Sequence, residues 1–484
     1  MTTDAPVGYP AREVALERIL SQALRFPDLD VAPFDPRSFA GRTELDARDA
    51  ALARAIEHAV VRRYLTLVAC LRPHLSKKWP LLEKPVQAAL LGGAAQVLFL
   101  DRVPAAAAVD ASVEWTKRRL RPGAAGFVNA VLRKVAGSVV ERLPPGGSEG
   151  GASDGGRRDL VPLADGGALR LSVECFHEDA ATRLAERTSH ARELVLHWIG
   201  AFGFHEATRL ATHDLVEPPI LVTPSGLVTP SGLVTTSSLV TTSSLVTTSS
   251  MVPAGLVEPH DEPGYGVFTG THAELAALLA AEPRLRVQDP TAGATVAALA
   301  ATPIPRPSVV VDLCAGRGTK TRQLAAAFPE AEILGSDPDE ARFAALAKVP
   351  EHFPNVRALR PEALLREAAG RADLVLLDVP CSNSGVLARR PEARYRFSRA
   401  RTHGVAELQQ RIGELGMGLL APRGFVCYAT CSIERYENES QSRRLAQRHG
   451  LSTAFERTIL PTGLPGDPPR TYRDGGYHAL LARA

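Results

Sequence analysis

Apolar residues in the first part of the chain recur every three or four positions. The segments Arg12 to Leu24, Asp46 to Leu71, Lys84 to Leu100 and Gly123 to Val135 all follow this rule. In the second, Leu52, Ile56, Val60, Tyr64, Leu67 and Val68 make one stripe, as expected of a helix packed against neighbours. Helical spacing returns from His177 to His213. From Gly266 the pattern changes. Apolar runs at Val309 to Asp312, Glu332 to Asp337, Leu374 to Asp378 and Gly424 to Ala429 are separated by helical segments, which predicts a doubly wound, mainly parallel sheet. The expected fold is thus multidomain: an all-α N-terminal domain followed by an α/β Rossmann-like domain.

Two stretches lack such patterning. Residues 144 to 157 are rich in Gly, Ser and Pro and read as a flexible linker. From Leu221 the chain repeats with period six, first Leu-Val-Thr-Pro-Ser-Gly and then Leu-Val-Thr-Thr-Ser-Ser. Two apolar residues in six bury little, so an irregular insertion is favoured over β-helix rungs. The expected division is a helical domain over 1–142, a linker over 143–160, a helical connector and small subdomain over 161–265 with the hexads at 221–253, and a catalytic domain over 266–484.

With 484 residues, 45% hydrophobic, 23% charged and a formal charge of +3, the chain reads as a globular protein whose overall charge does not by itself name a partner. No secretory signal opens it, and no apolar run approaches the ~20 residues that span a bilayer. The six cysteines form no Cys-x-x-Cys pair. A reducing cytoplasmic setting, a monomer, no membrane and no metal are therefore expected.

Candidate chemistry begins at Ser308 to Lys320, where a strand ending in Asp312 meets Cys314, Ala315, Gly316, Arg317, Gly318 and Thr319 before a helix. Glycines there let the backbone approach a ligand, and a helix start offers free N–H groups, as in nucleotide cofactor sites. Asp337 follows Asp312 by 25 residues, the place of a carboxylate that accepts from a ribose diol. Dehydrogenases share that much. Discrimination comes from Asp378-Val379-Pro380-Cys381-Ser382-Asn383-Ser384-Gly385 and Tyr428-Ala429-Thr430-Cys431-Ser432, which each set a cysteine just past a strand end. A thiolate can add to an electron-poor ring carbon. Attack at cytosine C6 makes C5 nucleophilic, C5 takes a methyl group, and loss of the C5 proton frees the thiol. Cys70, Cys175 and Cys427 read instead as small buried hydrophobes.

Two resemblances join these residues. Val97-Leu98-Phe99-Leu100-Asp101-Arg102-Val103-Pro104 and Gly126-Phe127-Val128-Asn129-Ala130-Val131-Leu132-Arg133 resemble the NusB-type RNA-binding domain. The cofactor turn and both cysteine motifs resemble the Sun family of RNA 5-methylcytosine methyltransferases. So do Gln288-Asp289-Pro290, Arg389-Arg390-Pro391-Glu392, Glu437-Asn438-Glu439 and Asp474-Gly475-Gly476-Tyr477. The resemblance implies methylation of cytosine C5 in small-subunit (16S) ribosomal RNA. It implies that S-adenosylmethionine is held by Cys314 to Lys320, Asp337, Glu362 and Asp378, that Cys431 is the nucleophile and Cys381 the release cysteine, and that Lys320 and Asp378 orient the target ring. Alternatives remain: an inactive RNA-binding assembly factor, a methyltransferase of tRNA or other RNA, or a DNA cytosine methyltransferase.

The chain departs from the family pattern in three places. Arg317 stands where a proline is usual, Glu362 where an aspartate is, and the hexads where a small RNA-binding subdomain is built. Candidate RNA contacts are Arg118, Arg119 and Arg121, which read equally as a solvated helix face. A second set is Arg389, Arg390, Arg394, Arg396, Arg399 and Arg401, where Tyr395 and Phe397 are expected to add a stacking surface.

Overall fold

The structure, a computed structural model, describes residues 9–30, 45–146, 156–223 and 255–483. It divides into two compact units. The first takes in the chain up to Glu217 together with Leu387–Ser398 and Leu464–Gly466, and the second holds the remainder.

The first unit is built on helices α1 (Tyr9–Arg25), α2 (Ala47–Leu71), α3 (Lys84–Phe99), α4 (Ala105–Arg119) and α5 (Pro122–Ser138). Asp46 starts α2 by accepting from the Asp49 N–H at 2.7 Å, satisfying a donor that the helix cannot. Ile56, Val60, Tyr64 and Leu67 from the α2 stripe are buried in one core with Leu16, Leu90, Leu91, Val128 and Leu132. Helix α4 has no apolar stripe of large residues because it packs with small ones, Ala108, Ala111 and Ser112, around Trp115. A small antiparallel sheet follows, in the order β1 (Val139–Leu143), β3 (Ala168–Leu171), β2 (Leu160–Pro162). Helices α6 (Ala180–Thr188), α7 (Arg192–Phe202) and α8 (Phe204–His213) complete the unit.

The second unit opens with β4 (Ile220–Thr223), β5 (Val257–Pro259), β6 (Gly266–Phe268), α9 (His272–Ala281), β7 (Arg286–Val287) and α10 (Pro290–Ala301). Its four strands form a sheet in the order β5-β6-β4-β7. The first hexad enters β4 through Leu221, Val222 and Thr223, and the remaining hexads lie outside the described residues.

The main sheet comes from β8 (Val309–Asp312), α11 (Thr319–Ala327), β9 (Glu332–Gly335), α12 (Glu340–Leu346), β10 (Val356–Ala358), α13 (Pro361–Glu367), β11 (Ala372–Asp378), α14 (Arg399–Leu419), β12 (Leu420–Thr430), α15 (Glu439–His449), β13 (Leu451–Ile459) and β14 (Gly476–Arg483). Among the described residues its order is β10-β9-β8-β11-β12-β14-β13. The first five strands are parallel, and β14 and β13 join antiparallel. Alternate residues of the central strands enter opposite cores: Val375 and Leu377 one, Leu374 and Leu376 the other. That is why these strands read as unbroken apolar runs. The winding reverses between β8 and β11, and in such sheets ligands bind beyond the carboxyl ends of the strands at that point. No helix among the described residues is long and apolar enough to cross a membrane.

Candidate two-thiol active site

Register explains the site. Strands β11 and β12 are parallel neighbours with Asp378 opposite Ala429, so the turns that follow emerge side by side. Val379 N–H donates to the Ala429 carbonyl at 3.0 Å and Gly385 N–H to the Cys431 carbonyl at 3.0 Å. Cys381 and Cys431 are thereby brought together, with Sγ to Sγ at 3.2 Å. Both are half-buried free thiols. The hydrogen bond to Cys431, with burial, pushes the Cys381 thiol well above its ordinary range.

A polar scaffold holds both turns. Ser432 Oγ lies 3.2 Å from Ser382 Oγ and 3.0 Å from Ser384 Oγ, and Ile433 N–H donates to Ser384 Oγ at 3.0 Å. Glu437, buried and pushed up by that burial, accepts from the Ser382 N–H at 2.7 Å. Asn438 donates to the Ser432 carbonyl at 2.8 Å. Gly475 N–H donates to the Gly385 carbonyl at 2.6 Å. Asp474 is held in turn, its N–H donating to Asp289 Oδ2 at 3.1 Å and its carbonyl accepting from Thr291 Oγ1 at 2.6 Å. The Gln-Asp-Pro, Glu-Asn-Glu and Asp-Gly-Gly-Tyr motifs act here as supports for the cysteine turns.

Beside the sulfurs, Lys320 Nζ donates to Asp378 Oδ2 at 2.7 Å. Burial pulls the Lys320 ammonium down, and the Asp378 carboxylate more than reverses it, leaving the group above its ordinary value. Asp312 ends β8 fully buried, accepts from Thr321 Oγ1 at 2.7 Å, and has no partner for Oδ1 among the described residues. Burial raises its carboxyl to about 7.

The glycine turn closes without the proline. Gly316 and Gly318 have φ of +58° and +85°, the left-handed region that favours glycine. Ala315 N–H donates to the Ser336 carbonyl at 2.8 Å and Gly318 N–H to the Ala315 carbonyl at 2.9 Å. Arg317 projects into solvent and Thr319 begins α11. Cys314 is buried enough for its thiol to be pushed up. Asp337 accepts from Gly316 N–H and Asp339 N–H, both at 2.9 Å, which fixes its carboxylate against the turn. Glu362 is exposed on the first turn of α13.

The arginine-rich segment needs correction. Arg394 is fully buried. It donates to the Leu387 carbonyl at 3.2 Å, to the Arg62 carbonyl at 3.0 Å and to the Asp214 carbonyl. Tyr395 is buried in the helical core, its hydroxyl donating to the Val61 carbonyl at 2.6 Å. Arg396 donates to the Leu29 carbonyl. A guanidinium spent on backbone carbonyls away from water does not reach a phosphate, so Arg394 and Tyr395 hold the first unit together instead. Arg390 is exposed and Arg389 half-buried. Arg118, Arg119 and Arg121 are exposed and paired with Glu13, Glu17 and Glu83. Cys70, Cys175 and Cys427 are buried among apolar residues, with Cys70 and Cys175 sulfurs 3.9 Å apart.

The fold and site define a Rossmann-like α/β domain with a two-thiol centre, in one chain with a helical domain. Residues 300–462 match the 16S rRNA methyltransferase RsmB/F family and residues 10–137 the NusB family. It is 34% identical over 211 residues to Ribosomal RNA small subunit methyltransferase B of Erwinia tasmaniensis, covering 41% of this chain and 47% of the relative. In that alignment the chain spans about half the relative's length. With the protein of the same name from Xanthomonas campestris pv. campestris it is 28% identical over 458 residues, 91% of this chain and 90% of the relative. The crystal structure of PH0851 shares the fold, with a TM-score of 0.64 at 17% identity over 99% of this chain and 100% of that one.

Proposed function

We propose that this chain transfers a methyl group from S-adenosylmethionine to C5 of a cytosine in small-subunit (16S) ribosomal RNA. The observation that carries the reading is the pair of sulfurs 3.2 Å apart beyond two adjacent parallel strands, beside the Lys320–Asp378 ion pair. Cys431 adds to C6 of the target ring, which makes C5 nucleophilic. After methylation the C5 proton leaves to a base, the C6–S bond breaks and Cys431 is recovered as thiolate. Cys381, kept protonated by burial and its neighbour, assists that release. The target base has to leave its stack, since C6 is closed to a thiol within a helix.

The residues of the glycine turn fit the cofactor. Gly316 has open space where a Cβ would stand, and Asp337 presents a carboxylate fixed by two backbone N–H groups, which suits a ribose diol. Cys314 to Lys320, Asp337, Glu362 and Asp378 would hold S-adenosylmethionine, which supplies an electrophilic methyl group when bound.

Tritiated methyl transfer to small-subunit RNA tests the reading. Cys431→Ala should abolish transfer, and unchanged transfer refutes the assignment. Cys381→Ala should accumulate a denaturant-resistant protein–RNA adduct, and its absence argues against the release role. Calorimetry with S-adenosylmethionine separates the enzyme from an assembly factor with a dead site, and bisulfite sequencing locates the target.

A further inference from the structure

We infer that Asn383 is a positioning residue of the two-thiol centre, its side-chain amide setting the direction of the hydrogen bonds that join Cys381 to Cys431. The inference rests on Cys431 being the nucleophile. Asn383 has φ of +64°, and Ser189 is the other non-glycine residue described in that region. Asn tolerates this backbone conformation better than most residues, and here it sets the side chain across both cysteine turns.

The orientation of the amide is determined by its partners. Asn383 Nδ2 donates to the Cys381 carbonyl at 3.2 Å. A carbonyl can only accept, so the amide nitrogen belongs on that side. Oδ1 then faces Cys431 Sγ at 3.3 Å. An amide oxygen also only accepts, so the Cys431 S–H donates to it. With its proton so engaged, Cys431 Sγ accepts from the Cys381 S–H at 3.2 Å. The hydrogen bonds run in one direction, from Cys381 to Cys431 to Asn383. The two sulfurs thereby differ in role, Cys381 being the donor to its neighbour and Cys431 the sulfur whose proton is held on an amide oxygen. Were Cys431 to lose that proton, the Cys381 S–H would still donate to the sulfur, whereas the Asn383 oxygen would have nothing to give.

Two variants test this. Glycine accepts the left-handed backbone, so Asn383→Gly removes the amide with little strain. Asn383→Asp keeps the shape and sets a carboxylate beside the sulfur. Among the described residues, the other titratable groups around Cys431 are Cys381, Tyr428 on β12, Lys320 on α11, Asp378 on β11, Asp312 on β8 and Glu437 before α15, and both variants leave these side chains in place. The full-length chain is treated with iodoacetamide from neutral to mildly alkaline pH, and labelled peptides are quantified by mass spectrometry. Asn383→Gly should label Cys431 faster near neutral pH, by about two- to tenfold for one hydrogen bond. Asn383→Asp should label it more slowly, with its profile displaced to higher pH. A purely structural role would move both variants the same way. That result, or rates equal to the parent's in both, overturns the inference. The catalytic reading fails separately, if Cys431→Ala still transfers methyl groups.

Discussion

Replacing Arg394 by methionine should destabilise the first unit rather than weaken RNA binding. The guanidinium is fully buried and donates to three backbone carbonyls, those of Leu387, Arg62 and Asp214. Methionine keeps much of the side-chain volume and removes every donor. A buried acceptor left without a partner costs about 1–3 kcal/mol, and the three share one group, so the losses will not add fully. A total of roughly 3–6 kcal/mol is expected, a large fraction of the ~5–15 kcal/mol typical of a folded protein. Urea unfolding followed by tryptophan fluorescence reads it directly, because Trp115 and Trp198 are buried in the same unit. The midpoint should fall by on the order of 1 M or more. Arg390→Met is the matched control: its side chain is 61% exposed and only 3.8 Å from Glu392, so its effect should stay within about 0.5 kcal/mol. An Arg394→Met protein with the parent's urea midpoint and reduced RNA affinity would refute the reasoning.

Gly318→Ala meets both a positive φ and Val349 Cγ2 at 2.7 Å from the added Cβ, whereas Gly316→Ala meets open space. Thermal unfolding should show losses of about 2–4 kcal/mol for the first and about 1–2 kcal/mol for the second, and equal losses would contradict the geometry. Burial raises Asp312 to about 7, above its unfolded value, so its contribution to stability is full below the ordinary carboxylate range and lost as pH rises through about 7. Asp312→Asn should therefore gain on the parent in urea midpoint between about pH 5 and pH 8, and a pH-independent difference would count against the raised carboxyl. Lys320→Met strands the Asp378 carboxylate at the site; initial methyl-transfer rates should drop by about 10²- to 10³-fold, and a loss under about tenfold would deny the pair its role.

Local pattern was enough to read most elements. The four apolar runs coincide with β8, β9, β11 and β12, because strands buried on both faces have no polar positions to hide them. The α2 stripe lies in the core for the matching reason, a helix needing only one apolar face. Helix α4 escaped because alanines bury without making a stripe. The cysteine turns were legible as motifs, since a strand end followed by Pro-Cys or Thr-Cys is a local feature. What spacing along the chain cannot hold is neighbourhood across it. The 3.2 Å between Cys381 and Cys431 depends on the parallel register that sets Asp378 opposite Ala429, a pairing of residues 51 apart in the sequence. Asn383 carries no local signal for the same reason, its meaning residing in a sulfur just past another strand. Arg394 shows the opposite failure. In sequence it is one of a row of arginines beside a cysteine turn, and only the folding of residues 387–398 into the first unit decides that its donors meet carbonyls instead of water.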